Sequence, residues 1–414
     1  MSPTLVVLVL SLLLGLQPVT TDLYLPALPS ITQGFDASMP QAQLTLTALL
    51  LCFGASQMIW GPLSDRFGRR PILLVGLATY VVASIGSALA SSMDILILWR
   101  MAQGTAMGAG VMGARAVVRD LFEPVEGARM MSKGLSGLGV IACTCAPLGG
   151  LLTETFNWRV ALTAVAVFGA GALAVVAWRF EESLKPENRQ PLAAGALVRS
   201  WLSIMGNRTF WAFAALATAS YAGLFTFLAA SSFVFIQVLG LTKTHYGVLM
   251  FTMSLSYILG TFICRRLLAH FGVRRTVAIG GAITLTAGTS MGVLGLMGFQ
   301  SIWTIMVPYY LFMIGHGVHQ PCGQSGAVSP FPKSAGAASA LSGFLMMLAA
   351  FGMGGWLGKS LAGIEQGERS VLPLTNGIWF WSVVIATVAW TLVQRYGQTT
   401  TPVRREAAAA SASS

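Results

Sequence analysis

Apolar runs of about 20 residues recur from one end of this chain to the other, the length a helix needs to cross the hydrocarbon core of a bilayer. In lipid every backbone amide must find its partner within its own segment, which leaves only helices and closed barrels. The runs are continuous and lack the period-two alternation of barrel strands, so helices are expected. Composition agrees: 9% of residues are charged, where an ordinary soluble domain carries about a quarter. Mean hydropathy is +0.72. The 46 glycines suit helices that must approach one another closely in lipid.

Hydropathy and its breaks predict twelve spans, at roughly 4–24, 43–62, 72–91, 95–116, 134–153, 159–179, 210–237, 245–264, 276–297, 303–322, 336–357 and 375–395. The fold class is therefore an all-α integral membrane protein. The stretch from Pro3 onward has no preceding Lys or Arg and no small-residue cleavage site, so it reads as the first span and not as a leader.

A net charge of +11 in a soluble protein would point to nucleic acid or anionic lipid. Here the placement of charge matters more than its sum, and no nucleic-acid partner is expected. Loops on one side hold Arg66, Arg69, Arg70, Arg115, Arg119, Arg129, Lys133, Arg179, Lys185, Arg189, Arg199, Arg208, Arg265, Arg266, Arg274, Arg275, Lys333, Arg395, Arg404 and Arg405. The other side holds only Arg159, Lys243, Lys359 and Arg369, and Arg100 lies within a span. Twenty against four predicts that both termini face the cytoplasm of a bacterial inner membrane.

The longest polar interruption, Glu181 to Arg208, divides the spans six and six. It gives a six-helix bundle over 1–180, a cytoplasmic linker over 181–208, a second six-helix bundle over 209–396 and a disordered Ala/Ser-rich tail over 397–414. A weak repeat relates the halves: Arg66-Phe67-Gly68-Arg69-Arg70 after span 2 has a counterpart in His270-Phe271-Gly272-Val273-Arg274-Arg275 after span 8. The five cysteines, Cys52, Cys143, Cys145, Cys264 and Cys322, show no disulfide framework. Cys143 and Cys145 point to different sides of a helix and read as small core residues.

Of the 14 acids, Asp22 is the one that falls within a predicted span, about 27 Å along the first helix. Arg100 in span 4 falls in the same outer half of the membrane. Burial disfavours a charged carboxylate and a nearby guanidinium favours it, so a motion that separated the two would switch proton binding. The other reading of Asp22 is a helix-end residue at the membrane surface. Arg100 is permanently charged and can only tune the acid or contact substrate. His316 and His319, three apart on one helix face, fit hydrogen-bonded core polarity, a substrate or proton role, or a metal pair, although no acid in the segment completes a ligand set. Tyr24, Gln103, Tyr221, Phe225, Tyr257 and Tyr310 are candidates, with the two histidines, for an apolar cavity with polar tips. Packing alone would place aromatics there equally well.

The most specific string is Gly61-Pro62-Leu63-Ser64-Asp65-Arg66-Phe67-Gly68-Arg69-Arg70-Pro71. Pro62 ends one helix, Gly68 permits a tight turn, and Pro71 suits the first turn of the next. Asp65 among Arg66, Arg69 and Arg70 suits a breakable ionic latch, or a charged turn that only fixes topology.

This string resembles the signature loop of the major facilitator superfamily. The resemblance spans the chain through the twelve spans, the six-plus-six division and the degraded copy after span 8. Thr21-Asp22-Leu23-Tyr24-Leu25-Pro26-Ala27-Leu28-Pro29, Arg100-Met101-Ala102-Gln103-Gly104 and Arg115-Ala116-Val117-Val118-Arg119-Asp120-Leu121 are similar to the bicyclomycin and chloramphenicol resistance (Bcr/CflA) branch of the twelve-span drug/proton antiporters. The resemblance implies a cytoplasmic latch of Asp65, Arg66, Arg70 and Asp120, with Gly61, Gly68 and Arg69 in the same loop. It also implies an antiporter-type kink in span 5 at Pro147, Gly149 and Gly150. There the match is partial, because Ala146 and Ala142 stand at positions where those antiporters usually have glycine.

The function implied is proton-driven multidrug efflux by alternating access, with small lipophilic drugs, protons and the bilayer as partners, no cofactor or metal, and a monomeric chain. A proton-coupled nutrient transporter has the same fold and is the alternative. An enzyme or channel is disfavoured, since no acid pair, nucleophile triad, metal cluster or repeated pore segment is present.

Overall fold

Among the described residues twelve long helices carry the fold, and most begin where the sequence supplies a cap. The computed structural model describes residues 2–189, 194–331, 334–362 and 370–397. The expected tail from 398 on, with Pro191, Lys333, Arg369, Arg404 and Arg405, lies outside the described residues. The helices are Pro3–Thr21 (α1), Met39–Phe67 (α2), Arg69–Ala88 (α3), Met93–Leu121 (α4), Pro124–Thr155 (α5), Trp158–Arg179 (α6) and Arg208–Ser232 (α7). The stretch Lys243–Leu296 is two helices, 243–271 (α8) and 273–296 (α9), meeting at the non-helical Gly272. Ile302–Val328 (α10), Ala335–Ser360 (α11) and Leu372–Trp390 (α12) complete the set. Ser92, Asn157, Asn207 and Thr242 each accept a bond from a first-turn amide, satisfying a donor that would otherwise be orphaned in lipid.

Among the described residues nine helical stretches are long and apolar enough to span a membrane by length and composition, the kinked α8–α9 stretch among them. α4 and α10, which carry Arg100 and the histidine pair, are more polar and occupy the remaining places in the fold. Several helices outrun their predicted spans: α2 continues to Phe67, α4 to Leu121 and α10 to Val328. α7 gives way to a π-helical turn over Phe233–Val238. The predicted linker is not plain coil, since it holds a short turn at Pro186–Asn188 and a helix over Ala194–Met205.

α1 to α6 pack on one another, and so do α7 to α12, giving two six-helix halves. The halves meet along two seams, α2 on α11 and α5 on α8. Gly68 (φ 103°) and Gly272 (φ 68°) both adopt positive φ, so the sequence repeat marks the same chain reversal in each half.

The two ends of the seams differ. At the end opposite the basic loops, here the far end, Gln43 Nε2 donates to the Ala229 carbonyl (2.9 Å) and the Thr244 amide donates to Glu154 (2.8 Å), each across the halves. At the basic end a cavity of about 660 Å³ opens between α2, α4, α11 and the linker. The halves are thus bonded to each other at the far end, while at the basic end a cavity lies between them, crossed by Arg115 reaching Ser339.

Candidate functional site

The first helix breaks where the acid sits. α1 stops at Thr21, a 3-10 turn follows over Leu25–Ala27, and a short helix runs over Leu28–Gly34. Pro26 and Pro29 supply no amide to continue the α1 ladder. Asp22 is the C-cap of α1, and the helical path resumes beyond it with Leu23 to Pro29 all buried. It therefore lies within the protein, half-buried, and not at a free helix end. Its carboxylate accepts a bond from the Thr21 hydroxyl (2.8 Å). Tyr221 and Tyr246 of the other half lie within its electrostatic reach.

Arg100 lies close by along the chain path but does not pair with Asp22. Its guanidinium donates to the Thr20 carbonyl through both terminal nitrogens (3.2 Å each), to the Thr45 carbonyl (3.4 Å) and to Gln103 Oε1 (2.8 Å). It also lies over the Tyr24 ring, 4.2 Å from the centroid. Arg100 is 0% exposed. A buried cation without a carboxylate is costly, and here the carbonyls at the broken end of α1, the negative pole of that helix, offset the charge. Arg100 thus holds the α1 break to α2 and α4, and acts on Asp22 through the backbone two residues before it.

Tyr24 and Gln103 belong to this framework and not to a cavity wall. Tyr24 donates to Thr45 Oγ1 (2.7 Å) and Gln103 to Ser84 Oγ (2.7 Å), both fully enclosed. The remaining cavity candidates lie in the second half. His316 Nδ1 meets the Ser220 hydroxyl (2.8 Å), and its ring is 5.5 Å from that of Tyr257. His319 Nε2 meets Thr284 (3.2 Å). The Tyr310 hydroxyl meets Thr252 (2.8 Å), and Phe225 is buried. Tyr221, Tyr257 and Tyr310 are partly open. Among the described residues no group of three or more His, Cys, Asp or Glu side chains could hold a metal ion. One proximity had no sequence signal: Cys264 and Cys322, on α8 and α10, place their sulfurs 3.7 Å apart.

In the signature loop, Arg69 is the hub. It pairs with Asp65 (2.7 Å) and Asp120 (2.7 Å) and donates to Ser64 Oγ (2.9 Å). Arg119 approaches Asp65 at 3.6 Å. Arg66 points away, over the Phe67 ring, and the Arg70 guanidinium donates to the Ala177 carbonyl (2.9 Å), so neither joins the acid cluster. Glu182 of the linker, which sequence reasoning missed, accepts from the amides of Arg69 (2.8 Å) and Arg70 (3.2 Å) at the positive end of α3. Its carboxylate fills the space a side chain at Gly68 would need. Ser183 adds a bond to Asp120 (3.3 Å). The available clue was a carboxylate beside a helix start, but nothing in the sequence said which helix. Gly61 lines the cavity beside this cluster.

α5 carries Pro147 within it, and the glycines after the proline are contact points. A side chain at Gly149 would strike the Leu23 carbonyl, next to Asp22, and one at Gly150 would strike the Lys243 carbonyl of α8. The far-end seam therefore touches the Asp22 break through one turn of α5.

Residues 10–354 match the family model described as Major Facilitator Superfamily. The chain belongs to that superfamily. It is 30% identical over 375 residues to multidrug resistance protein D of Escherichia coli (strain K12), covering 90% of this chain and 92% of that one. It is 27% identical over 385 residues to the bicyclomycin resistance protein homolog of Haemophilus influenzae, covering 93% and 94%. These relatives agree with the Bcr/CflA branch. A solved D-xylose–proton symporter superposes with a TM-score of 0.76 at 15% identity, covering 96% of this chain and 98% of that one, which shows the shared fold. In major facilitator terms, the loop at 61–71 has its charge network centred on Arg69, Asp65 and Asp120.

Two outcomes follow from this geometry. Asp65→Asn removes one carboxylate from Arg69, which is 2% exposed, yet leaves Asp120 to pair with it. Transport is expected to fall about tenfold or more while membrane abundance stays near wild type, because conformational bias changes and the pairing of the buried cation persists; immunoblots beside transport rates check it. Gly150→Val should prevent the far end from closing on α8, so a single cysteine at Gln43 becomes labelled from the far side and transport stops. Unchanged labelling would remove Gly150 from the seam.

Proposed function

We propose that this chain is a proton-coupled exporter of small drug-like molecules across the bacterial inner membrane, working by alternating access of the two halves. The observation that carries the coupling is Asp22, among the described residues the one acid set within the depth of the helix bundle, at a break held open by Arg100 and touched by the α5 turn that also forms the far-end seam. The relatives named for multidrug and bicyclomycin resistance support export as the direction.

In this reading the basic end faces the cytoplasm and the structure is the inward-open form. Asp22 takes a proton when the far end is open to the periplasm. Closure of α8 onto α5 presses Gly149 and Leu23 together and moves the acid toward the inward cavity, where it releases the proton and drug binds to the vacated form. The signature-loop network of Asp65, Arg69 and Asp120, tied to the linker by Glu182 and Ser183, holds the basic ends of α2, α3 and α4 together as that half moves. A single chain contains every element this cycle uses, so it works as a monomer.

The orientation predicts that a cysteine near Asn188 is labelled only from the cytoplasm and one at Asp36 only from outside; labelling of both from one side would reject it. Expression of the chain in a pump-deleted host tests the function. Drug and dye resistance should rise and should vanish with a protonophore. If the protonophore instead lowers cellular accumulation, the chain is an importer.

A further inference from the structure

The cavity at the basic end is bounded by more positive charge than its acids can neutralise. Arg69, Arg115, Arg119 and Lys185 face Asp65 and Asp120. Arg69 engages both acids and Arg119 approaches Asp65. Among the described residues, Arg115 and Lys185 have no carboxylate within ion-pair distance. Arg115 is exposed to the cavity, and its recorded partner is the Ser339 hydroxyl of α11, 3.1 Å away in the other half. A guanidinium has five donors in a planar fork suited to carboxylate, sulfonate or phosphate, so most of its capacity remains available. Arg119 follows one turn later on the same face of α4. Met58, Met112 and Trp201 give the same cavity apolar wall. Its volume, about 660 Å³, is that of a small-molecule site.

We propose that this vestibule is an anion-accepting entry site, in which Arg115, supported by Arg119, binds the carboxylate, sulfonate or phosphate group of an amphiphilic molecule whose apolar body lies against Met58, Met112 and Trp201. The inference rests on the exporter reading for its role in transport and gives that reading a substrate class: organic anions and zwitterions enter in preference to lipophilic cations, which the unpaired guanidinium repels. The same group chemistry is offered by an anionic lipid headgroup at the membrane rim. Sequence reasoning counted Arg115 as a topology charge and as part of the string resembling the Bcr/CflA branch, with no binding role.

The test is equilibrium binding, with no gradient and no transport, to the full chain in nanodiscs of phosphatidylcholine alone. The probes are dansylglycine and its uncharged methyl ester, which share one body and differ in the anion. Wild type is expected to bind the acid at least about tenfold more tightly than the ester, a preference of the size a charge-assisted pair supplies, and to lose it as salt rises. Arg115→Gln should bring the two affinities together, and Arg115→Lys should restore part of the preference. Both side chains face the cavity, and a melting curve verifies that each variant is folded. Including phosphatidylglycerol in the discs separates the sources: displacement of dansylglycine from wild type assigns the resident anion to the lipid headgroup, and no displacement assigns it to soluble amphiphiles. Equal affinity for acid and ester in wild type, or a preference that survives Arg115→Gln, overturns the proposal. Asp22→Asn should keep the preference, so loss of proton coupling and loss of the anion site give different results.

Discussion

Asp22→Asn, purified and reconstituted, is expected to lose gradient-driven efflux by at least about a hundredfold, because among the described residues no other acid lies within the depth of the bundle to take its place. The substitution keeps the shape of the side chain and its contact with the Thr21 hydroxyl, so folding is spared. Asn is neutral at all pH values and stands in for the protonated acid. Downhill exchange of substrate between the two sides should therefore persist, while uphill efflux does not respond to an imposed pH difference. Transport assays in proteoliposomes, with and without that difference, check both halves of the expectation. Full proton-driven efflux by the variant would move attention to His316 and His319, the buried pair on α10.

The second large effect concerns Arg100. Its guanidinium joins the Thr20 and Thr45 carbonyls and Gln103, and stacks on Tyr24. Hydrogen bonds from a charged donor contribute about 1.5–3 kcal/mol each, and a desolvated cation–π contact about 2. Arg100→Ala leaves the carbonyls at the α1 break unpaired inside the protein, and transport should fall more than about a hundredfold, with a lower melting temperature. Arg100→Lys is the sharper variant. A compact ammonium on a flexible stem cannot span carbonyls on two helices and Gln103 at once. It should preserve abundance better than Ala yet still reduce transport at least about tenfold, since the position of Asp22 and not only the local charge is at stake. Wild-type transport by Arg100→Lys would mean that charge alone suffices there.

Much of this architecture was legible because the bilayer imposes it. Span length, the charge-poor runs and the clustering of Arg between them give twelve helices with few alternatives, and the Gly68 and Gly272 reversals follow from glycine placed beside a charged turn. Helix ends were less legible: α2, α4 and α10 run past their apolar segments, because polar residues beyond the hydrocarbon continue a helix that hydropathy cannot follow. The site was read in parts. Asp22 and Arg100 stood out as ionisable residues among apolar ones, and Arg100 is enclosed while Asp22 is half-buried. Their direct pairing was not found, because the partner of Arg100 is backbone, and a carbonyl freed by a proline break leaves no mark on a hydropathy profile. Tyr24 and Gln103, expected at a cavity, are part of the Arg100 framework. The signature string marked the loop where Asp65, Arg69 and Asp120 form a charge network, but it did not give the partners: Arg66 and Arg70 stay outside that network. Arg69 lies at the hub, whereas Glu182 reaches it from more than a hundred residues away, a contact that only the fold can supply.

Proton–drug competition at Asp22 is the central claim, and it is measured most directly by the pH of a weakly buffered solution of the purified chain when a transported drug is added at saturation. Wild type is expected to release up to one proton per drug bound, with the release disappearing at pH values where Asp22 is already ionised, and Asp22→Asn, fixed in the protonated-like form, is expected to bind drug more weakly and to release none. Equal release by both proteins, or drug binding to wild type with no release at any pH, would contradict the account.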